Sequence, residues 1–383
     1  MVGVLFALFI QGNAKKTPIP PDFSNAQLTV HYLREELYTG TPRYGSNTDP
    51  YLITQTFEPY KGPPTFDPGD TPPLTFTLEK LGKGGWKFTD KSDSQTMEVV
   101  ADDKVAIPFQ RWDYRGFTAL NAKTGAKLWT RMPVGKGNRA CIALIAGVLY
   151  QWDAGDLSAS NPYTGDAIWN EKIEAKSKDV EIPPIQVKNG RLFIELEVKG
   201  KDVLYCINAQ TGQLIWNQPI GDSRSGFAVT NRRVFRYQYR PIKGSDDKSA
   251  SLFSFDVASG EKVWSIPVDI NSTAYTPEAT DEVVFLPGCR SPSYLYRLSD
   301  GSLIKKYEMQ AEKTLFGRYV LEVDDSEDLV LSLAETGERI GRVRLTKDET
   351  WQFQHVGDRL LFVSPRIRRV PNTNVVYEIL TTK

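Results

Sequence analysis

The chain has 383 residues, 25% of them charged, and its 47 lysines and arginines balance its 47 aspartates and glutamates. Because the net charge is zero, the chain lacks the basic field that binding to nucleic acid or to an anionic membrane surface requires. The three cysteines are far apart and the two histidines are His31 and His355, so the composition favours neither a metal centre nor a catalytic histidine relay. We therefore predict no catalytic, cofactor-binding or metal-binding residues.

The first segment, Met1–Ala14, reads MVGVLFALFIQGNA. Its apolar run ends in small residues, which is typical of a secretory signal peptide that is removed from the mature chain. The run from Val2 to Ile10 would span about 14 Å as a helix, too short to cross a bilayer. We predict a secreted or periplasmic (cell-envelope) protein with no transmembrane span in the mature chain. A mis-assigned start and a short anchor are the alternatives. No Cys follows the run, so a bacterial lipid anchor is not available.

The second segment, residues 15–73, differs in composition. Eleven of the 24 prolines precede residue 74. The stretch Pro59–Pro73, PYKGPPTFDPGDTPP, is typical of a turn-rich or extended tether. Two short stretches, Gln27–Leu33 and Tyr51–Phe57, are compatible with strands that either join the first repeat or wrap the surface of the following domain. We predict an irregular N-terminal extension that packs on that domain.

From residue 74 onward the chain repeats one phrase, in which an alternating run is followed by a turn ending in Gly and, four residues later, by Trp. The clear copies are Phe117–Trp129, Ser158–Trp169, Leu204–Trp216 and Leu252–Trp264, with looser copies from Thr75, Tyr294 and Leu329. The turn glycines stand at positions 82, 125, 165, 212, 260, 301 and 337. A repeat of about forty residues indicates a propeller or a solenoid.

Each copy predicts a β-hairpin. The Asn or Asp four residues before Gly can accept hydrogen bonds from the turn backbone, and the Gly supplies a positive φ. The Trp stands an even number of residues after the Gly, so it points to the same face of its strand in every copy. We predict that these side chains dock each sheet on the next; they are Trp86, Trp129, Trp169, Trp216 and Trp264.

Two further strands are predicted between successive hairpins, for example Ala140–Ile145 and Val148–Trp152. Four strands per repeat is typical of the blades of an all-β propeller, which we place over residues 74–383. The chain ends with three strands that lack an outer partner, and we expect them to pair with the hairpin Leu74–Phe88 so that no sheet edge is left open. This arrangement predicts seven blades, or eight if Gln27–Phe57 supplies two strands of its own.

The repeated phrase Y-x-L-(D/N)-A-x-T-G-x-x-x-W resembles the repeat of the pyrroloquinoline quinone (PQQ)-type β-propellers. That family includes quinone-dependent dehydrogenases and a non-catalytic propeller of the outer-membrane barrel assembly machinery. For an enzyme the resemblance implies adjacent cysteines, a catalytic Asp and calcium ligands, yet no two cysteines here are adjacent. The resemblance therefore implies a non-catalytic scaffold that binds other proteins and no cofactor. The alternative is a PQQ- and calcium-dependent, or sugar-acting, enzyme with its site in the propeller channel.

Two Trp–Asp pairs lie one repeat apart, each Trp thirteen residues before its turn glycine. On a blade they fall where the second strand enters the loop to the third, on the face opposite the Thr-Gly turns. Together with neighbouring arginines they form a candidate partner-binding face; its residues are Arg111, Trp112, Asp113, Arg115, Trp152 and Asp153. The alternative is that these tryptophans only pack the blades.

Overall fold

A computed structural model describes the chain as strands and their connecting turns. The described residues are 28–37, 43–44, 50–57, 74–80, 84–92, 97–110, 116–131, 140–153, 155–173, 185–220, 226–241, 248–268, 276–288, 292–308, 313–323, 328–344, 352–356, 359–366 and 373–381. All regular structure within these residues is β-strand.

Within each sheet, strands that are consecutive in the chain lie beside each other and are antiparallel. The first nine are β1 (Leu28–Leu37), β2 (Arg43–Tyr44), β3 (Pro50–Phe57), β4 (Leu74–Lys80), β5 (Lys87–Ser92), β6 (Met97–Ala101), β7 (Val105–Gln110), β8 (Phe117–Asn121) and β9 (Lys127–Arg131). The next twelve are β10 (Ala140–Ile145), β11 (Val148–Asp153), β12 (Asp156–Ser160), β13 (Ala167–Lys172), β14 (Gln186–Lys188), β15 (Arg191–Val198), β16 (Lys201–Asn208), β17 (Leu214–Pro219), β18 (Phe227–Val229), β19 (Arg233–Pro241), β20 (Lys248–Asp256) and β21 (Lys262–Val268). The last eleven are β22 (Glu278–Ala279), β23 (Val283–Leu286), β24 (Ser293–Arg297), β25 (Leu303–Tyr307), β26 (Lys313–Phe316), β27 (Tyr319–Val323), β28 (Asp328–Leu333), β29 (Arg339–Arg344), β30 (Gln352–Val356), β31 (Arg359–Arg366) and β32 (Thr373–Thr381).

These strands form four-stranded sheets, which are the blades of a β-propeller. Blade 1 is β2–β5, blade 2 is β6–β9, and the pattern continues in fours to blade 7, β26–β29. Blade 8 has the order β1-β32-β31-β30. The prediction of an all-β propeller with four-stranded blades is confirmed. The described strands make eight blades, so the preferred count of seven was wrong and the alternative of eight is the one observed.

The N-terminal segment is part of this architecture, in contrast to the predicted extension. β2 and β3 open blade 1, and β1 supplies the outer strand of blade 8. Six of the eleven early prolines lie between β3 and β4, in Pro59–Pro73, and Pro50 is the first residue of β3. A strand tolerates proline at its first position, where no ladder hydrogen bond is lost. The two stretches that were compatible with strands, Gln27–Leu33 and Tyr51–Phe57, fall on β1 and β3, and the irregular extension was the wrong alternative.

The closure of the ring also differs from the expected pairing. β4 pairs with β3 and β5, and the C-terminal strand β32 pairs with β1 in a register that runs from Leu28 opposite Thr381 to Leu37 opposite Thr373. The predicted pairing of the C-terminal strands with Leu74–Phe88 was wrong because β3 already occupies that edge. Both arrangements hide the edge of the last three strands, which is the physical requirement on which the prediction rested.

The hairpin turns have the geometry that the repeated phrase predicts. In blade 2, the Asn121 side-chain oxygen accepts hydrogen bonds from the backbone N–H groups of Lys123 and Thr124 at 2.9 and 3.1 Å. Gly125 then has a φ of 72° and donates its N–H to the Asn121 carbonyl at 2.8 Å. In blade 5 the Asp256 carboxylate makes the equivalent contacts and accepts hydrogen bonds from the backbone N–H groups of Ala258 and Ser259. A residue with a Cβ would be strained at this positive φ, which explains why Gly recurs at the position.

The tryptophans lie between consecutive blades and hydrogen-bond across them. Each indole Nε1 donates to the backbone carbonyl of the residue that follows the turn Asn, Asp or Arg of the next blade. The pairs are Trp86–Ala122 at 3.0 Å, Trp129–Pro162 at 3.0 Å, Trp169–Ala209 at 2.9 Å, Trp216–Val257 at 3.2 Å and Trp264–Leu298 at 3.2 Å. In blade 6 the same position is Lys305, whose Nζ donates to the Gly337 carbonyl at 2.8 Å. Every link from blade 1 to blade 7 therefore points to the next blade in the chain.

The hydrophobic core is divided into layers between neighbouring sheets. One layer joins blades 3 and 4 through Trp152, Trp169 and Leu192, and another joins blades 4 and 5 through Phe193 and Phe227. At the other end of the blades, the innermost strands of neighbours contact each other, as β6 does with β10 and β18 with β22. The outermost strands are left at the periphery, where the candidate site lies.

Candidate protein-interaction surface

The outer strands of five consecutive blades expose aliphatic side chains to solvent. They are Leu128 on β9, Ile168 on β13, Leu214 and Ile215 on β17, Val263 on β21 and Leu303 on β25. Four of them directly precede a docking tryptophan. Because strand side chains alternate, the neighbour of each Trp points to the opposite face of the sheet, where the outermost strand has no cover. We call these six residues the outer-edge aliphatics.

The edge of blade 4 is distinctive among the eight outer strands. β17 reads LIWNQP and contains no charged residue, whereas the outer strands β5, β9, β13, β21, β25, β29 and β1 each carry at least one Lys, Arg or Glu. It also exposes two aliphatics in succession, with Leu214 at 54% and Ile215 at 41% of their full surface. Proteins usually protect an edge strand with charge, because its free backbone groups can pair with another chain. β17 has no such protection.

A cavity of about 350 Å³ lies beside β17, between blades 4 and 5. Its walls are the end of β17, the two middle strands of blade 5 and the start of β21. The lining residues that matter for its chemistry are Gln218, Gln238, Phe253, Phe255 and Lys262. The two phenylalanine rings stack with centroids 6.2 Å apart and give one wall an apolar character. The cavity is therefore an apolar cleft with amide groups and one lysine.

A buried charge cluster reaches this cavity through Arg236 and joins the same two blades. The Arg236 guanidinium of β19 is fully buried and donates to both carboxylate oxygens of Glu195 on β15, at 3.0 and 2.6 Å. It also donates to Asp202 on β16 at 3.4 Å. The Gln238 amide donates to the backbone carbonyl of Ile220 at 3.0 Å. A bidentate pair of this kind fixes the relative position of the sheets as well as their spacing.

The cation at the cavity mouth is Lys262, an exposed residue on β21. Within the described residues its ammonium group makes no ion pair and no hydrogen bond. Arg236, by contrast, is committed to its carboxylates. Lys262 is thus the charge that an entering group would meet.

The predicted partner-binding face is only partly within the described residues. Arg111, Trp112, Asp113 and Arg115 lie outside them. Trp152 and Asp153 end β11, as expected, and each exposes 1% of its surface. Trp152 packs in the core layer between blades 3 and 4. The structure thus gives Trp152 the packing role that was the alternative, while the contribution of residues 111–115 remains a prediction.

The quinone site that the resemblance implies for an enzyme needs gathered calcium ligands and adjacent cysteines. In the described part of the chain, no three His, Cys, Asp or Glu residues gather as metal ligands. Cys141 and Cys206 are buried in different blades, and burial raises the pKa of Cys206 to about 12. The described residues therefore do not form the cysteine pair and calcium ligand set of the enzymatic relatives. These residues also include no helix with the length and apolar character of a membrane crossing.

One carboxylate on an inner strand has an unusual environment. Glu278 of β22 accepts hydrogen bonds from the Thr314 hydroxyl at 3.1 Å and from the Leu315 backbone N–H at 2.5 Å, so it links blade 6 to blade 7. Burial raises the pKa of Glu278 to about 7, against the opposing effect of these two bonds. The corresponding position in blade 4 is Gln186, whose amide donates to the Phe227 carbonyl of blade 5. The same link is therefore made elsewhere by a neutral side chain.

We expect this pKa to make stability depend on pH. Between about pH 4.5 and pH 7 the folded chain keeps a proton on Glu278 that the unfolded chain has lost, so the free energy of unfolding falls as pH rises through this window. Glu278→Gln should remove this part of the pH dependence and raise the denaturation midpoint above pH 7. Glu171→Gln, at an exposed position on β13, is the matched control and should leave the profile unchanged. Parallel profiles for wild type and Glu278→Gln would contradict the expectation.

Sequence reasoning missed most of this surface, although part of it was visible. The aliphatic residue before each Trp and the lack of charge in LIWNQP are both present in the sequence. Their exposure could not be inferred until the outermost strand of each blade was known. The pairing of Arg236 with Glu195 joins residues 41 positions apart and has no signal in the sequence.

Comparison with solved structures agrees with the propeller architecture. The chain is similar to the crystal structure of BamB from Moraxella catarrhalis, with a TM-score of 0.56 and 12% identity over 91% of this chain and all of that one. It is also similar to the computationally designed Ika8 protein, with a TM-score of 0.49 and 14% identity over 79% of this chain and 90% of that one. Comparison with curated protein sequences finds no match.

The repeats themselves match a known family model. That model is described as outer membrane protein assembly factor BamB and matches residues 78–265 and 153–316. The two matches together span well over half of the chain and include the hairpins of blades 2 to 6, in which the turn Gly recurs and is followed by Trp in blades 2 to 5. The chain therefore belongs to this family of PQQ-like β-propeller repeat proteins.

Proposed function

We propose that this protein is a non-catalytic scaffold subunit that binds other proteins at the periphery of its propeller. The observation that carries the proposal is the set of outer-edge aliphatics, which lie on the outer strands of five consecutive blades and on four of them directly precede the docking tryptophan. Exposed apolar side chains on open strand edges promote unwanted association, and proteins usually remove them or cover them. Their repeated presence favours coverage by a partner.

We further propose that the protein acts in the cell envelope, in the periplasm or after secretion. The description of its family, outer membrane protein assembly factor, supports this location and suggests a part in assembling outer membrane proteins. The apolar segment at Val2–Ile10 supports export as well. Fractionation of the source cells tests the location, and recovery of the chain in the cytosol would contradict it.

Photo-crosslinking in the source cells tests the interaction itself. A photoreactive phenylalanine is placed in turn at Leu128, Ile168, Ile215 and Val263, and at the exposed turn residue Gln210 as the control. We expect covalent adducts with other proteins from at least one outer strand and none from the turn. If all outer-strand positions give no adduct while the protein is folded and exported, the scaffold proposal fails.

A titration with PQQ and calcium separates the scaffold from the enzyme alternative. The purified mature chain is followed by tryptophan fluorescence and by the absorption of the quinone. We expect no saturable change. Saturable, calcium-dependent quenching would overturn the non-catalytic assignment and would lead to alcohols and sugars as test substrates.

A further inference from the structure

The outer strand of blade 4 offers a site for a specific kind of partner. β17 ends its sheet, so among the described residues no strand lies beside the backbone N–H and C=O groups along its outer side. Leu214 and Ile215 extend this edge with apolar surface, and no charged side chain stands along it. A strand that pairs with this edge would gain main-chain hydrogen bonds and apolar contact together.

The direction of the β17 side chains connects this edge with the cavity. Trp216 and Gln218 point toward blade 5, since Trp216 donates to Val257 and Gln218 lines the cavity. A fifth strand beside β17 would direct alternate side chains to the same face. Those side chains would extend over the cavity between the two blades. Backbone pairing and side-chain recognition would thus occur in one place.

The lining of the cavity defines the chemistry of the side chain that enters it. Phe253 and Phe255 favour an aliphatic stem, and the exposed Lys262 supplies a positive charge without an ion-pair partner in the described part of the chain. Arg236 adds little attraction for an entering anion, because Glu195 already balances its guanidinium charge. A carboxylate on a short aliphatic stem, which is a Glu or Asp side chain, matches this combination.

We propose that β17 is the docking edge for an extended acidic segment of another protein, which adds to blade 4 as a fifth strand and directs a carboxylate to Lys262. This inference rests on the proposed scaffold function and names the chemistry of one partner. A second copy of this chain is a poorer occupant, because its own β17 has no acidic residue to offer Lys262. Charge complementarity therefore favours a different protein.

Binding of three labelled peptides to the purified chain tests the proposal. The peptides are nine residues long, alternate Val and Thr, and carry Glu, Gln or Lys at the centre. Fluorescence anisotropy should show the Glu peptide binding about 2- to 5-fold more tightly than the Lys peptide, the range of one partly exposed ion pair. Lys262→Glu should reverse this order. Equal affinity for the three peptides, or an order unaffected by Lys262→Glu, would overturn the acidic assignment.

Substitution of the edge provides the second readout. Ile215→Lys should weaken binding of the Glu peptide at least tenfold, since a lysine on an edge strand opposes the addition of another strand. Ile168→Lys, at the same repeat position in blade 3, is the matched control and should leave binding unchanged. Equal losses from both variants would overturn the assignment to β17. Ile215→Thr, which keeps the β-propensity, replaces Ile215→Lys if the lysine variant does not fold.

Two further outcomes separate this inference from the function on which it rests. If the peptides do not bind but crosslinks form from Leu128 or Val263, the scaffold function stands and the β17 inference fails. If no outer strand forms crosslinks, both fail. Sedimentation velocity tests whether a second copy of this chain occupies the edge. A dimer that dissociates on Ile215→Lys would assign the edge to that second copy and overturn the proposal.

Discussion

Trp216→Ala should lower the free energy of unfolding by about 3–5 kcal/mol, as other truncations of large buried side chains do. Trp216 exposes 9% of its surface, its ring lies 6.0 Å from that of Phe193, and its Nε1 donates to the Val257 carbonyl of the next blade. Its removal therefore leaves a cavity between blades 4 and 5 and an unpaired carbonyl. A chemical denaturation midpoint that does not change would refute the docking role.

The control for this substitution is on the same strand. Asn217 is the exposed neighbour of Trp216, and Asn217→Ala should change stability by no more than about 0.5 kcal/mol. The loss of stability from Trp216→Phe should fall between the losses from Trp216→Ala and Asn217→Ala, because phenylalanine keeps most of the packing and loses the hydrogen bond. Equal effects of the Ala and Phe variants would place the whole contribution in the hydrogen bond.

The glycine under this tryptophan gives an independent measure of the same contact. Gly260 has a φ of 75°, and a Cβ on it would lie 2.6 Å from the Trp216 ring. Gly190 has a similar φ of 72° but no atom within 4 Å of such a Cβ. Both Gly→Ala changes should lower the free energy of unfolding by about 1–2 kcal/mol, because alanine is strained in the left-handed backbone. Any further loss at Gly260 relative to Gly190 measures the steric fit of the tryptophan.

Arg236→Met should be the other strongly destabilising change, by about 3–5 kcal/mol. Methionine fills a similar volume but leaves Glu195 and Asp202, which are 8% and 2% exposed, without the cation that both now face. An uncompensated buried charge is costly because water cannot reach it. The combined variant Arg236→Met, Glu195→Gln, Asp202→Asn should recover much of the loss, and no recovery would contradict this explanation.

The appropriate comparison is an ion pair of similar length at the surface. Lys87 and Glu79 lie 2.9 Å apart on blade 1, with 66% and 29% of their side chains exposed. Lys87→Met should cost at most about 1 kcal/mol, since solvent and salt already screen the pair. Added salt should reduce this smaller loss and leave the loss from Arg236→Met unchanged. Thermal and chemical denaturation midpoints at low and high salt provide both measurements.

The repeat was sufficient to predict the local structure of most blades. Asn121 and Gly125 determine a turn that depends on the chemistry of four or five consecutive residues, so a sequence motif carries the necessary information. The pair Ala140–Ile145 and Val148–Asp153 was predicted to within one residue for the same reason, because alternation of apolar residues is local. The family that this phrase resembles was confirmed by the family match.

The parts that the sequence did not predict depend on residues far apart in the chain. β1 carries no repeat motif, and its assignment to blade 8 follows from its pairing with β32, which is far away in the sequence. The candidate surface has the same character. The exposure of Ile215 and the surroundings of Lys262 depend on how one blade lies beside the next. No local sequence pattern indicates that arrangement. A repeat predicts the blade, and the contacts between blades require the structure.

The closure of blade 8 has a consequence for the order in which the molecule is completed. Leu28 and Thr381 are paired but lie far apart in the sequence, so among the described strands β1 is synthesised first and its partner β32 last. The seven other blades draw their strands from continuous stretches and can form as the chain emerges, since contacts close in sequence form with the least loss of chain entropy. β1 must stay unpaired throughout that time. The synthesis of β32 is therefore the event that allows the ring to close.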